Sequence, residues 1–148
     1  MKYERYPLES NRKLLVFEFT SIGPKGKIKK IVQYTETNLK DYYNLGFGDK
    51  NEITGEIDDR SVTNNGDSQL VLATVVSTAY AFTEKYQNAW IYVMGNSSAR
   101  TRLYRMGITN NLWEINRDYE VYGLIQNQWH EFHVNIDYEA FLFRRKNQ

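Results

Sequence analysis

The first third of the chain contains short runs in which apolar and polar side chains alternate, as they do in half-buried β-strands. The alternation predicts strands over residues 14–20, 27–35 and 41–48, and a weaker fourth strand over residues 52–58. Pro24 lies between the first two runs, where it suits the first central position of a β-turn. These two strands are therefore predicted to form a hairpin.

The middle of the chain has a helical pattern instead. Residues 70–82 are almost all apolar or small, which predicts a helix packed on most of its circumference. It should begin at Asp67 or Ser68 as the capping residue and end near Tyr86, and it is expected to be the central element of the core. Residues 90–94 form a continuous apolar run that is typical of a buried strand.

The pattern of residues 97–106 predicts a short helix with Gly107 as its C-cap, and residues 111–118 suit a second helical piece. Alternation then returns, and it predicts three strands: Tyr119–Ile125, residues 129–134 and residues 138–143, the first two flanking a hairpin loop at residues 126–128. We therefore expect one α+β domain over residues 1–148, with an antiparallel or mixed sheet.

Composition narrows the class of protein without selecting a function. The chain of 148 residues has a net charge of +1, which gives no overall attraction to nucleic acid or membranes. It has no cysteine, which excludes disulfides, thiolate zinc sites and cysteine nucleophiles. No apolar run has the length of a membrane span or a signal peptide, so we expect a cytoplasmic protein with no membrane association. Aromatic residues make up 15% of the chain, a share that suits both strands and binding surfaces.

The turn and helix after residue 94 form the first candidate site. The beginning of a helix presents backbone N–H groups without internal partners, and arginine adds fork-shaped donors that suit phosphate or carboxylate. The predicted anion-binding residues are Asn96, Ser97, Ser98, Arg100, Arg102, Tyr104 and Arg105.

Helical geometry divides these residues between two flanks, because each residue turns by about 100°. An apolar stripe is expected to face the core, and it consists of Ala99, Leu103 and Met106. Arg102 and Arg105 then lie on one flank, where they would act as a phosphate-binding pair. Arg100 and Tyr104 lie on the other flank, where they would stack on a base or meet an acidic partner. The structural alternative is a capped amphipathic helix whose arginines pair with the acidic segment around Asp58 and Asp59.

The hairpin at residues 25–30 is the second candidate site. Lys25, Lys27 and Lys29 are basic positions near aromatic strands, and Lys27 and Lys29 are predicted on the face opposite to Ile28, Val32 and Tyr34. Such a surface suits single-stranded nucleic acid, where bases stack on rings and lysines follow phosphates. A solvated hairpin tip, whose lysines protect a sheet edge, explains the same pattern.

No catalytic motif is found in the sequence, and we predict no catalytic residue, metal site or cofactor. His130 and His133 lie three residues apart on a predicted strand, so their side chains point to opposite faces. The acidic segment before residue 67 lacks the glycine and the closing glutamate of a calcium loop.

Several sequence blocks resemble a known family over nearly the whole chain. They are Ser21-x-Gly23-Pro24-Lys25-Gly26, Phe47-Gly48-Asp49, Asn64-Asn65-Gly66-Asp67, residues 99–108 and residues 138–142. Together they resemble an uncharacterised family of small Bacteroidetes proteins that is classed as a domain of unknown function. The resemblance implies an intracellular bacterial single-domain protein, and it implies no activity or cofactor. The order of elements is also similar to that of the Pur and Whirly group of single-strand nucleic-acid binders.

The leading hypothesis is a non-enzymatic module that binds single-stranded DNA or RNA through backbone charge and aromatic stacking. In this hypothesis Arg102 and Arg105 hold phosphates, Lys27 and Lys29 extend the basic track, and Tyr104 stacks on a base. The first alternative is a protein-interaction module that docks the same helix on an acidic partner. The second is an enzyme that holds a phosphorylated small molecule at the turn of residues 95–98. Exposed edge strands leave homodimerisation open.

Overall fold

The computed structural model describes residues 4–58 and 63–147. The strands are β1 (Glu9–Ser10), β2 (Val16–Gly23), β3 (Gly26–Glu36), β4 (Tyr42–Asp49), β5 (Trp90–Val93), β6 (Tyr119–Ile125), β7 (Gln128–Glu131) and β8 (Ala140–Arg145). The helices are α1 (Ser68–Lys85), α2 (Ser98–Asn110) and α3 (Leu112–Asp118). The α+β class that we predicted from the sequence is confirmed.

All eight strands belong to one sheet, in the order β1-β2-β3-β4-β5-β8-β6-β7. Every neighbouring pair is antiparallel except β4 and β5, which run parallel with Tyr42 opposite Trp90. Two parallel strands need a crossover, and the chain makes it through α1. The first three main strands form the predicted meander, and β5 lies inside the sheet as its apolar run predicted.

The three helices pack on one face of the sheet, which we call the covered face. Buried side chains of alternate strand positions, such as Val32, Leu45 and Ile91, meet Val75 of α1 and Ile108 of α2 in a single core cluster. The remaining positions point to the opposite face, which we call the open face. No helix in the described part of the chain packs against the open face.

The predicted strand over residues 52–58 is wrong. This segment is a loop attached to β4 by a single bridge between Lys50 and Ile57. The side chain of Asn51 accepts hydrogen bonds from the backbone N–H groups of Ile53 and Thr54, at 2.9 and 3.1 Å. Gly55 follows at φ +76°, a conformation that favours glycine. This local turn uses the backbone groups that a strand would have paired.

Of the two expected helix caps, Gly107 is wrong, whereas Asp67 lies at the predicted N-cap position of α1 but bonds elsewhere. Gly107 is not a C-cap, because α2 continues to Asn110. A Cβ atom at Gly107 would lie 3.2 Å from Leu72 of α1, so the glycine allows the two helices to approach closely. Asp67 precedes α1, but its side chain makes no capping hydrogen bond. Its carboxylate instead accepts from the hydroxyls of Tyr6, at 2.5 Å, and Ser21, at 2.6 Å.

The C-terminal hairpin has a tighter turn than we predicted. Gln126 and Asn127 both have positive φ, 53° and 61°, so two residues connect β6 to β7. The last strand begins at Ala140 rather than at residue 138. Strand β1 was not predicted, and it consists of only two residues.

A lysine is buried on the covered face, beside the beginning of α1. Lys30 of β3 is 1% exposed, and its ammonium group is paired with the Asp49 carboxylate of β4. The same ammonium donates to the backbone carbonyl of Thr63 at 2.9 Å, and the Thr63 hydroxyl donates to Asp49. The polar groups therefore satisfy one another in a place that strand alternation assigns to an apolar residue.

Lys30→Met should lower the free energy of unfolding by about 3–5 kcal/mol, because it leaves the buried Asp49 carboxylate without its counter-charge. Urea titration at pH 7 measures this loss. Lys29→Met is the matched control: Lys29 is exposed at the next position of the same strand, and its replacement should change stability by less than about 0.5 kcal/mol. Equal losses in the two variants would contradict a stabilising role for the buried pair.

Candidate nucleic-acid interface

The arginine helix α2 turns a different face to the core from the one predicted. Met106 is 43% exposed, Ala99 is also exposed, and Leu103 is half-buried, so the predicted apolar stripe was wrong. The buried positions are Tyr104, Gly107 and Ile108. The helix is rotated this way because glycine allows close contact with α1 and because the large ring of Tyr104 is taken into the core.

Tyr104 is therefore not available to stack on a base. It is 6% exposed, and burial raises the pKa of its hydroxyl to about 12, with the charge of Arg100 acting in the opposite direction. Arg100 is half-buried, and its guanidinium Nη2 lies 3.7 Å from the position that a Cβ atom on Gly48 would occupy. The predicted flank of Arg100 and Tyr104 thus faces the protein rather than solvent.

Arg102 and Arg105 do lie together, but they line a hollow that also contains acidic residues. The hollow has a volume of about 360 Å³, and Asp137 and Glu139 are part of its wall. Arg105 is paired with the Asp137 carboxylate and donates to the backbone carbonyl of Ile136 at 3.4 Å. Arg105 therefore does not pair with the segment around Asp58, as the structural alternative had proposed; Asp59 lies outside the described residues.

The turn before α2 is closed by hydrogen bonds within the chain. Ser97 caps the helix, with its Oγ accepting from the backbone N–H of Arg100 at 3.2 Å. The Thr101 hydroxyl accepts from the N–H of Gly95 at 3.2 Å and donates to the Ser97 carbonyl at 3.1 Å. Asn96 and Ser98 are exposed beside this turn. The capping prediction is confirmed, and an anion-binding role for these residues stays a prediction.

The three candidate lysines are exposed, and two of them, Lys27 and Lys29, lie on the other side of the sheet from α2. Lys27 and Lys29 alternate with the buried Lys30 and Val32, so their side chains belong to the open face, and Lys25 lies in the hairpin turn. The structure therefore does not bring the arginine helix and the lysine hairpin to one surface.

Five aromatic side chains form a cluster on the open face, which we call the aromatic patch: Tyr42, Trp90, Tyr92, Tyr122 and Trp129. The rings of Tyr42 and Trp90 are stacked, with centroids 5.7 Å apart. Trp90 lies 6.2 Å from Tyr122, and Tyr92 lies 6.0 Å from Trp129. Trp129 is 40% exposed and the other four are half-buried, so the patch is accessible from solvent.

A single arginine lies within this patch. The guanidinium of Arg144 lies 5.2 Å from the ring centroid of Trp90, at the distance of a cation–π contact. Glu120 is the cross-strand neighbour of Arg144 on β6, and it accepts a hydrogen bond from the Tyr122 hydroxyl at 3.3 Å. Burial, and then the charge of Glu120, raise the pKa of the Tyr122 hydroxyl above its ordinary value.

Residues 2–146 match the sequence profile of a family of unknown function, DUF6934. The chain belongs to this family. Among curated proteins and among solved structures, no match to the chain was found. No helix in the described part of this DUF6934 member is long and apolar enough to cross a membrane. Within the same residues, no three histidine, aspartate or glutamate side chains are grouped so that they would hold a metal ion.

Sequence reasoning missed the aromatic patch of this DUF6934 member. Trp90 and Tyr92 belong to a run that is apolar throughout, which hides their orientation, and Arg144 lies near the charged C-terminus. The available signal was the alternation in β6, where Tyr119 and Val121 are buried and Tyr122 is not. The cluster forms only when β4, β5, β8, β6 and β7 are placed side by side, and this strand order is not readable from periodicity.

The buried tyrosines make stability depend on alkaline pH. The pKa values of Tyr104 and Tyr119 are both raised by burial to about 12. The contribution of the two residues to the free energy of unfolding is therefore full below pH 10, and it is lost as the pH rises from about 10 to about 12. The free energy of unfolding of the wild-type protein should fall as the pH rises to 12, and in Tyr104→Phe this fall should be smaller by roughly 2 kcal/mol.

Urea titrations between pH 9 and pH 12 measure this dependence. Trp113→Phe changes an exposed ring without a hydroxyl, and it should leave the alkaline loss unchanged. Parallel losses in the wild-type protein and in Tyr104→Phe would contradict the assignment.

Proposed function

We propose that this protein binds single-stranded nucleic acid on the open face of its sheet, with bases stacked on the aromatic patch. The observation that supports the proposal is a cluster of five accessible rings around Arg144, on a sheet face that no helix of the described chain covers. This replaces Tyr104 as the stacking residue and keeps the class of ligand that the sequence suggested.

The chemistry of the patch suits unpaired bases. In a duplex the faces of the bases are occupied by neighbouring base pairs, whereas single strands offer faces that stack on Trp and Tyr rings. Trp129 at the exposed β7 edge and Trp90 near the centre would receive two bases, and Arg144 between the strands would meet a phosphate or the face of a base.

The charges around the patch predict an unusual salt dependence. Glu120 and Glu131 lie on the open face beside Arg144 and Tyr122, so two negative charges face the single positive charge of Arg144. Lys27 and Lys29 lie on the same face, but Ile57 packs over β4 between them and the rings. Binding should therefore depend on stacking more than on phosphate contacts, and the slope of log K against log salt should be about −1 to −2.

The same small excess of negative charge supports a second candidate function, a protein-interaction surface. Trp, Tyr and Arg are the residue types that contribute most to protein interfaces, and acidic neighbours are tolerated there more easily than beside phosphates. The bacterial and cytoplasmic setting that the family resemblance implies is compatible with both functions, and it remains a prediction.

Fluorescence polarisation with labelled oligo(dT) and oligo(U) tests the proposal. Trp129→Ala should weaken binding roughly 5- to 100-fold, because stacking contributes about 1–3 kcal/mol for each base. Trp113→Ala is the matched control, since Trp113 is 79% exposed on α3, away from the open face. Equal weakening in both variants, or no binding to either oligonucleotide at low salt, would contradict nucleic-acid binding at the patch.

A second pair of variants separates the patch from the arginine helix. Arg144→Gln should weaken binding and reduce the salt slope by about 1, whereas Arg102→Gln should leave both unchanged. The reverse result would assign binding to α2, as the sequence had suggested. If both variants bind as the wild-type protein does, neither arginine contributes to binding, whereas no binding by the wild-type protein would favour the protein-interaction alternative.

A further inference from the structure

The core contains a cavity between the sheet and the three helices. Its volume is about 60 Å³, several times the space that one water molecule needs. Its walls come from all three helices and from the covered face of β4, β5, β6 and β8. Native cores normally have few voids larger than a water molecule, so a space of this size is a departure from ordinary packing.

We propose that this cavity is a binding site for a small apolar molecule, or for the apolar end of a larger one, of the size of a short alkyl chain. This proposal is independent of the open face, which lies on the other side of the sheet. It names a ligand class that neither the sequence pattern nor the family assigns.

The lining determines the chemistry of the occupant. Almost all atoms that face the cavity are carbon, contributed by aliphatic residues such as Leu72, Val75 and Ile115. The hydroxyl of Tyr119, whose ring also lines the cavity, is already hydrogen-bonded to Thr83 at 2.7 Å. Water in such a space would lose hydrogen bonds, so the cavity should stay dry when it is empty and should prefer an apolar guest.

The lining comes nearest to solvent on one side of the cavity. The lining residues are buried except for Val76, Ala79 and Phe143, and the first two lie one turn apart on α1. Next to them the Tyr80 hydroxyl donates to the Asp118 carboxylate at 2.7 Å and connects α1 to the end of α3. On the other side, Gly107 and Leu72 hold α2 close against α1. We therefore infer that a guest enters at Val76 and Ala79.

Xenon, methane and ethane are the probes for this site, because the cavity has well under half the roughly 150 Å³ of one that binds benzene. Each probe is added to the protein, and the midpoint of thermal unfolding is measured. The methyl resonances of core residues are recorded in the same samples. A bound guest should raise the midpoint in proportion to its occupancy and should shift methyl signals of Leu72, Val75 and Ile115. The methyl signals of Ile31 and Val32, which do not line the cavity, should stay in place.

Two α1 variants provide the matched comparison. Ala79→Leu places a larger side chain at the entrance and should abolish the midpoint shift, whereas Ala81→Leu enlarges a half-buried residue outside the lining and should retain it. Circular dichroism checks that both variants fold. If Ala79→Leu does not fold, the localised methyl shifts of the wild-type protein decide alone. Methyl shifts spread over the whole core, or no midpoint shift with any of the three probes, would overturn the proposal.

Discussion

The parallel pairing of β4 with β5 is the constraint on which the rest of this structure depends. Neighbouring parallel strands run in the same direction, so the chain has to return to the starting edge before it enters β5. It does so through α1, the longest helix, and this places α1 across one face of the sheet. The helices α2 and α3 leave β5 on the same side and pack in the same core cluster. One topological step therefore produces both a covered face and an open face.

The two faces of the sheet differ in how far their side chains are shielded from water. On the covered face the core excludes water, and the buried ammonium group of Lys30 is matched to a carboxylate and a carbonyl within reach. On the open face Ile57 covers part of β4, and beyond it half-buried Tyr and Trp side chains occupy positions where an aliphatic core residue would be exposed. The aromatic excess in the composition is thus partly a consequence of leaving this face without a helix.

Periodicity predicted the elements better than it predicted their contacts. The α1 helix, the meander and the strand at residue 90 follow from side-chain spacing, which is a local property. The inward face of α2 does not, because hydropathy ranks Met106 above Tyr104 although packing buries the tyrosine ring. Lys30 is likewise recognisable as buried only when its partner on β4 is known. The aromatic patch needs the order of five strands, which arises from long-range pairing and not from any segment alone.

The short strands at the two edges of the sheet affect how readily the protein aggregates in a concentrated solution. Strand β1 has two residues and β7 has four, while the interior strands β2, β3 and β4 are twice as long or longer. Short edges present few unpaired backbone groups to a passing strand, and they are a recognised protection against templated sheet growth. A protein so rich in β-structure and aromatic rings is at risk of fibril formation, and the short edge strands reduce that risk without altering either face.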